Sequence, residues 1–137
     1  MYLLDTYVVS ELRRLRPHGA VVSWIKKVQE DQLFLSAVTV GEIQSGIEIT
    51  RGRDSTRAVE LEKWLERVER TYAVLPMDAA AFRVWAKLMH NRSDDHLEDG
   101  MIAATALVHR LTVVTRNVRD FQSFEVRTLD PFKTGRT

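Results

Sequence analysis

Four acidic or amide positions in this chain fall where an α/β fold would bring them together. Asp5 ends Tyr2-Leu3-Leu4-Asp5-Thr6, and Glu42 lies within Thr39-Val40-Gly41-Glu42-Ile43. Asp99 opens Asp99-Gly100-Met101-Ile102-Ala103-Ala104-Thr105-Ala106, and Asn117 and Asp120 share Thr115-Arg116-Asn117-Val118-Arg119-Asp120-Phe121. Carboxylates gathered in one cleft repel each other and raise each other's pKa unless a positive charge lies between them. An all-oxygen donor set of this kind suits Mg²⁺, with Mn²⁺ as a substitute. Metal-dependent phosphate chemistry is therefore the leading expectation.

Each member also has a structural explanation. Asp5 sits between an apolar strand and a helix, where aspartate serves equally as an N-cap or as a ligand at the carboxyl edge of a sheet. Thr39-Val40-Gly41-Glu42 matches a capping box, in which Glu42 would reach back to a free backbone N–H. At about 100° per residue, however, Glu42 points away from the Val40, Ile43 and Ile47 stripe. Asp99 falls among Ile102, Ala103 and Ala106 on a helix that is apolar almost all round, so it is expected to be buried at a cost of several kcal/mol unless paired or metal-bound. A place in the first helical turn, favoured by the dipole, is its alternative, with Asp95 and Glu98 as the cap. Asn117 and Asp120 follow an apolar strand, with Arg116 and Arg119 available for phosphate, but turn formation explains either residue alone.

The elements that must position these residues follow from hydrophobic periodicity. Short apolar runs predict strands at Tyr2–Leu4, Leu33–Leu35, Tyr72–Leu75 and Leu111–Val114, with a weaker one at Glu125–Thr128. Between them, helices are predicted at Val8–Leu15, Ala20–Gln29, Val40–Ile49, Thr56–Arg70, Ala79–His90 and Leu97–His109, punctuated by Pro17, Gly19, Gly52 and Pro76. Strands alternating with helices imply an α/β fold with a central, mostly parallel sheet flanked by helices. Trp24, Trp64 and Trp85 fall on apolar helix faces and are assigned to packing.

The 137 residues fit a single domain over 1–137, with 45% hydrophobic and 28% charged composition. The absence of cysteine excludes disulfides and thiolate chemistry and fits the cytoplasm. No stretch approaches the roughly 20 apolar residues needed to span a bilayer, and no signal peptide is recognised. Twenty basic residues nearly cancel nineteen acidic ones. Arg13, Arg14, Arg16, Lys26 and Lys27 bunch near the start, either as a solvated helix face or as a nucleic-acid patch. His18, His90, His96 and His109 lack metal-ligand spacing and are assigned to the surface or to packing. No Gly-rich phosphate loop and no Gly-x-Ser-x-Gly elbow occurs.

Leu3-Leu4-Asp5-Thr6, Leu35-Ser36-Ala37-Val38-Thr39-Val40-Gly41-Glu42, Asp99 to Ala106, Leu111-Thr112-Val113-Val114-Thr115-Arg116-Asn117 and Asp130-Pro131-Phe132 occur in an order and spacing that resembles a PIN-domain nuclease of the VapC type, in its FitB-like branch. The resemblance spans nearly the whole chain. It implies a three-layer PIN fold, a Mg²⁺-dependent endoribonuclease, and the toxin half of a type II toxin–antitoxin pair. It also implies a homodimer, inhibition by a small cognate antitoxin, and contact with operator DNA only through that antitoxin. Asp5, Glu42 and Asp99 match the family's three main acids and are assigned as metal ligands. The fourth position departs, since Asn117 stands where many members have aspartate, and Asp120 lies one turn later. In the expected reaction a metal-activated water attacks an RNA phosphodiester in line. Glu42 orients or deprotonates that water, and the products carry 3′-hydroxyl and 5′-phosphate ends. Two alternatives stand beside this one: a receiver-like Mg²⁺-binding signalling domain, and an inactive PIN fold that binds only RNA or its partner.

Overall fold

Tyr2–Leu4 form β1, and strand geometry sends Leu3 and Leu4 to opposite faces, where both are fully buried. A strand covered on both sides belongs in the middle of a parallel sheet. The computed structural model describes residues 1–133. In it β1 pairs on one side with β2 (Leu33–Ser36) and on the other with β4 (Thr112–Val114). β3 (Ala73–Leu75) lies outside β2, and β5 (Thr128–Leu129) lies outside β4. All four pairings are parallel, in the order β3-β2-β1-β4-β5. The chain therefore builds outward one way from β1 through β2 to β3, and the other way from β4 to β5. That reversal between β1 and β4 is where α/β sheets open a crevice for ligands.

Among the described residues seven α-helices fill the connections: α1 (Thr6–Glu11), α2 (Gly19–Lys27), α3 (Ala37–Arg51), α4 (Ser55–Thr71), α5 (Ala79–Met89), α6 (Leu97–His109) and α7 (Val118–Gln122). Leu4, Leu33, Leu35 and Val114 meet Val8 and Val9 of α1, Val21 and Trp24 of α2 and Val68 of α4 on one face of the sheet. On the other face Leu3 and Val113 meet Ile102, Ala103 and Ala106 of α6 and Phe121 of α7. The result is a three-layer α/β architecture. A third cluster joins Ile47 of α3 to Ala58, Leu61 and Leu65 of α4. Fully burying a side chain of this size contributes about 1.5–3 kcal/mol, so the two-sided core holds the central strands rigidly beneath the crevice.

The tryptophans pack as expected: Trp24 meets Tyr2 edge-on at 5.0 Å, and the Trp85 indole N–H donates to the Leu97 carbonyl at 3.2 Å. Trp64 is partly buried against the first and third clusters.

Several boundaries differ from the sequence expectation. α3 begins at Ala37 rather than Val40, because the Ser36 hydroxyl accepts the Val38 N–H at 3.1 Å and caps the helix three residues early. α1 ends at Glu11, so Arg13 and Arg14 lie in the turn beyond it and not on a helix face. β5 is displaced to Thr128–Leu129, since Glu125 adopts a left-handed φ of 60° that no strand tolerates. α7 was not expected, its five residues being too few for a periodic signal. Residues 134–137, the end of the expected 1–137 domain, lie outside the described residues. Among the described residues no helix is long and apolar enough to cross a membrane.

Candidate metal centre

β1 delivers Asp5 to the carboxyl edge of the sheet, where its own backbone N–H still bonds to the Val114 carbonyl at 2.9 Å. The side chain is 3% exposed and both oxygens are engaged. Oδ1 accepts the Thr6 N–H at 2.8 Å, and Oδ2 accepts the buried Thr115 hydroxyl at 2.9 Å. Capping and site membership thus coexist in one residue. Burial pushes the Asp5 carboxyl up to about 6. The Thr115 and Thr6 hydrogen bonds oppose that rise, while the charges of Asp99 and Glu42 add to it.

Glu42 is free of the capping duty that its sequence suggested. With Ser36 as the cap, Thr39 sits buried in the first turn of α3, and Glu42 projects from the next turn. The Thr6 hydroxyl lies 3.0 Å from that of Thr39 and donates to Glu42 Oε1 at 2.8 Å, tying α1 to α3 across the cleft. Loss of hydration raises the Glu42 pKa, the Thr6 bond lowers it, and the charges of Glu98 and Asp99 raise it again.

Asp99 is less buried than its helical position suggested, at 30% side-chain exposure. The reason is topological: α6 runs back to feed β4, so its first turn lies at the carboxyl edge of the sheet, where the layers part. Neither Asp95 nor Glu98 caps it. His96 occupies the N-cap position without a side-chain cap bond, and its Nδ1 lies 3.9 Å from Asp99 Oδ2. His96 is therefore a neighbour of the acidic set and not merely a surface residue. Partial burial raises the Asp99 pKa, with further upward pushes from Asp120 and Glu98 and a downward one from His96.

Asp120 thus belongs to the acidic set through its field, although it is exposed. Asn117 is also exposed and caps nothing; Thr115 Oγ1 makes the local turn by accepting the Asn117 backbone N–H at 2.9 Å. Thr6 and Glu98 join the site without having been assigned there, and Thr115, expected to offer a hydroxyl beside Asn117, offers it to Asp5. The capping spacing of Ser36 was the one signal that would have released Glu42 and Thr39 in advance.

The charges of Asp99 and Glu42 act on Asp5, and that of Asp99 acts on Glu42; among the described residues no lysine or arginine forms a salt bridge with any of the three. Among the described residues, no three Asp, Glu or His side chains stand close enough to form a ready metal-holding group. The donor chemistry nevertheless fits a hard divalent cation, because a buried carboxylate in the field of two others, with no lysine or arginine among the described residues in salt-bridge contact, favours a bound positive charge. Arginines flank the set from two sides. Arg13 and Arg57 line a cavity of about 240 Å³ with Thr6 and Glu42. Arg116 and Arg119 line a second with Asn117 and Asp120. Carboxylates at the centre and cations around them suit a phosphodiester backbone.

Comparison with known proteins identifies the family. The PIN domain family model matches residues 2–126. Toxin FitB of Neisseria gonorrhoeae is 31% identical over 142 residues, covering 96% of this chain and 99% of its own. VapC ribonuclease Y4jK of Sinorhizobium fredii is 33% identical over 139 residues, covering 97% and 99%. The crystal structure of FitAcB from Neisseria gonorrhoeae superposes with a TM-score of 0.86 at 31% identity, over 97% of this chain and 99% of that one. FitAB bound to an IR36 DNA fragment superposes with a TM-score of 0.84 at 30% identity, over 96% of each. The receiver-like alternative gives way to these matches. With this sheet order, this acidic crevice and near-complete coverage by such relatives, the chain belongs to the PIN-domain family, among its VapC and FitB toxins.

Proposed function

We propose that this protein is a Mg²⁺-dependent endoribonuclease and the toxin of a type II toxin–antitoxin pair, acting in the cytoplasm as one PIN domain. One observation carries the reading: Asp5, 3% exposed at the carboxyl edge of the sheet, lies in the field of Glu42 and Asp99, and among the described residues no lysine or arginine forms a salt bridge with any of the three. Asp5 and Asp99 would hold the Mg²⁺ from two elements, β1 and α6, and Glu42 would close the set from α3. Mn²⁺ would substitute, and Asn117 or Asp120 would serve the outer edge. When bound, the ion supplies Lewis-acid stabilisation of charge developing on the phosphodiester.

The remaining work falls to the protein. Thr6 holds Glu42 Oε1, leaving Oε2 to orient the attacking water and accept its proton. The water oxygen bonds to phosphorus as the bond to the 3′-oxygen breaks, and that oxygen takes a proton from solvent. Thr115 and the Thr6 N–H fix the Asp5 carboxylate so that it does not rotate away from the substrate side. An antitoxin partner is supported by solved toxin–antitoxin relatives, one of them, FitAB, bound to a DNA fragment; inhibition by that antitoxin, a homodimer, and operator DNA reached only through the antitoxin complete the proposal. The test is cleavage of total RNA with Mg²⁺ and with EDTA, followed by end mapping. Mg²⁺-dependent cuts with 5′-phosphate ends are expected. Equal cleavage in EDTA would refute the mechanism.

A further inference from the structure

Tyr7 follows Thr6 on α1 and is 67% exposed, so its ring is open to a ligand. It lines two adjoining cavities of about 350 Å³ each. One reaches Thr6 and Glu42; the other reaches Arg116, Asn117 and Phe132. Tyr7 therefore stands between the two ends of the candidate metal centre. In the second cavity the Arg116 guanidinium lies over the Phe132 ring, 4.3 Å from its centroid, and the His18 ring braces Phe132 edge-on at 5.1 Å. The cation is thereby positioned before any ligand arrives. Glu11, the one acid lining that cavity among the described residues, is already engaged. It accepts the His18 N–H at 2.9 Å and pairs with Arg14 at 3.4 Å.

We propose that Tyr7 and the Arg116–Phe132 stack form a nucleotide holder for single-stranded RNA beside the acidic site, Tyr7 stacking on a base and Arg116 taking the neighbouring phosphate. An exposed ring with a preset guanidinium is the usual means of gripping an unpaired strand, because every base has a face to stack and every linkage a charge. A duplex would not fit this grip, since its bases are already stacked. The inference rests on the ribonuclease reading for its substrate.

The test uses a short single-stranded RNA carrying 2-aminopurine, whose fluorescence is quenched on stacking, mixed with the full chain in EDTA so that no cleavage intervenes. Quenching by the wild type and by Tyr7→Phe is expected, with loss of quenching and at least about fivefold weaker binding in Tyr7→Ala. Arg116→Ala is expected to lower the slope of log affinity against log salt by about one. Far-UV circular dichroism confirms that each variant is folded. Wild-type quenching by Tyr7→Ala, an unchanged salt slope in Arg116→Ala, or equally tight binding of duplex RNA would overturn the holder. Cleavage with Mg²⁺ but no quenching would overturn it while leaving the ribonuclease standing. Quenching without cleavage would support the holder and overturn the ribonuclease, and neither signal would overturn both.

Discussion

Helix α3 carries two glutamates six residues apart with opposite fates. Glu48 lies on the α3–α4 surface, where Arg51 Nε approaches at 3.0 Å and the Gln44 amide donates at 2.7 Å, and its pKa is lowered, first by the Arg51 bond. Arg51 also reaches Glu62 at 2.6 Å, so one guanidinium serves both carboxylates. Glu42 stands at the crevice, where loss of hydration and the charges of Glu98 and Asp99 raise its pKa and the Thr6 hydroxyl opposes them. Both regions are rich in acid, so acid content alone does not mark a site. What separates them is the counter-charge: the surface cluster is salt-bridged by its own arginine, whereas among the described residues no arginine or lysine pairs directly with Asp5, Glu42 or Asp99.

That contrast breaks most visibly in activity. Asp99→Asn should reduce RNA cleavage by more than about 100-fold, beyond the usual cost of disturbing a ligand's supporting partner, with the fold intact by circular dichroism. Glu48→Gln should cleave at the wild-type rate. Comparable losses in both would erase the distinction between the two regions.

Protons compete with the cation for the same oxygens. Because the Asp5 carboxyl sits at about 6, cleavage at limiting Mg²⁺ should fall about tenfold per pH unit below that value, for a single proton displaced. A pH–rate profile at two Mg²⁺ concentrations checks this, and higher Mg²⁺ should move the midpoint down.

Stability sharpens the comparison further. Asp5 is raised from an ordinary carboxylate value near 4 to about 6, so the folded chain holds its proton more tightly than the unfolded one. The carboxyl's contribution is then most favourable below pH 4 and is lost as pH rises to 6, by up to about 3 kcal/mol. Asp5→Asn should accordingly stabilise the metal-free protein at pH 7 by about 1–3 kcal/mol and have little effect at pH 4, as read from urea denaturation. Added Mg²⁺ should narrow the gap by stabilising only the wild type. The smallest effect belongs to the surface network, where Arg51→Ala should leave the melting temperature within error.

The fold was largely legible, because buried parallel strands leave continuous apolar runs and α6 carries an apolar surface from Leu97 to His109, the bounds it has in the structure. Boundaries failed where a local bond outweighed periodicity, as with Ser36 capping α3 and the positive φ at Glu125. Within the site, Asp5 was legible as a strand-end acid. Its partners were less so: the Thr6–Glu42 and Thr115–Asp5 bonds join residues 36 and 110 apart in sequence, and no local pattern announces them. Asp99 was placed correctly on its helix but misjudged in depth, because a helical wheel gives direction around the axis and not distance from the sheet edge.

The most direct test of the uncompensated crevice is calorimetric titration of Mg²⁺ into metal-free wild type, Asp99→Asn and Glu48→Gln at pH 7. Saturable binding in the wild type and Glu48→Gln, lost in Asp99→Asn, is the expected result. Equal uptake by all three, or none by the wild type, would contradict a cation site built from Asp5, Glu42 and Asp99.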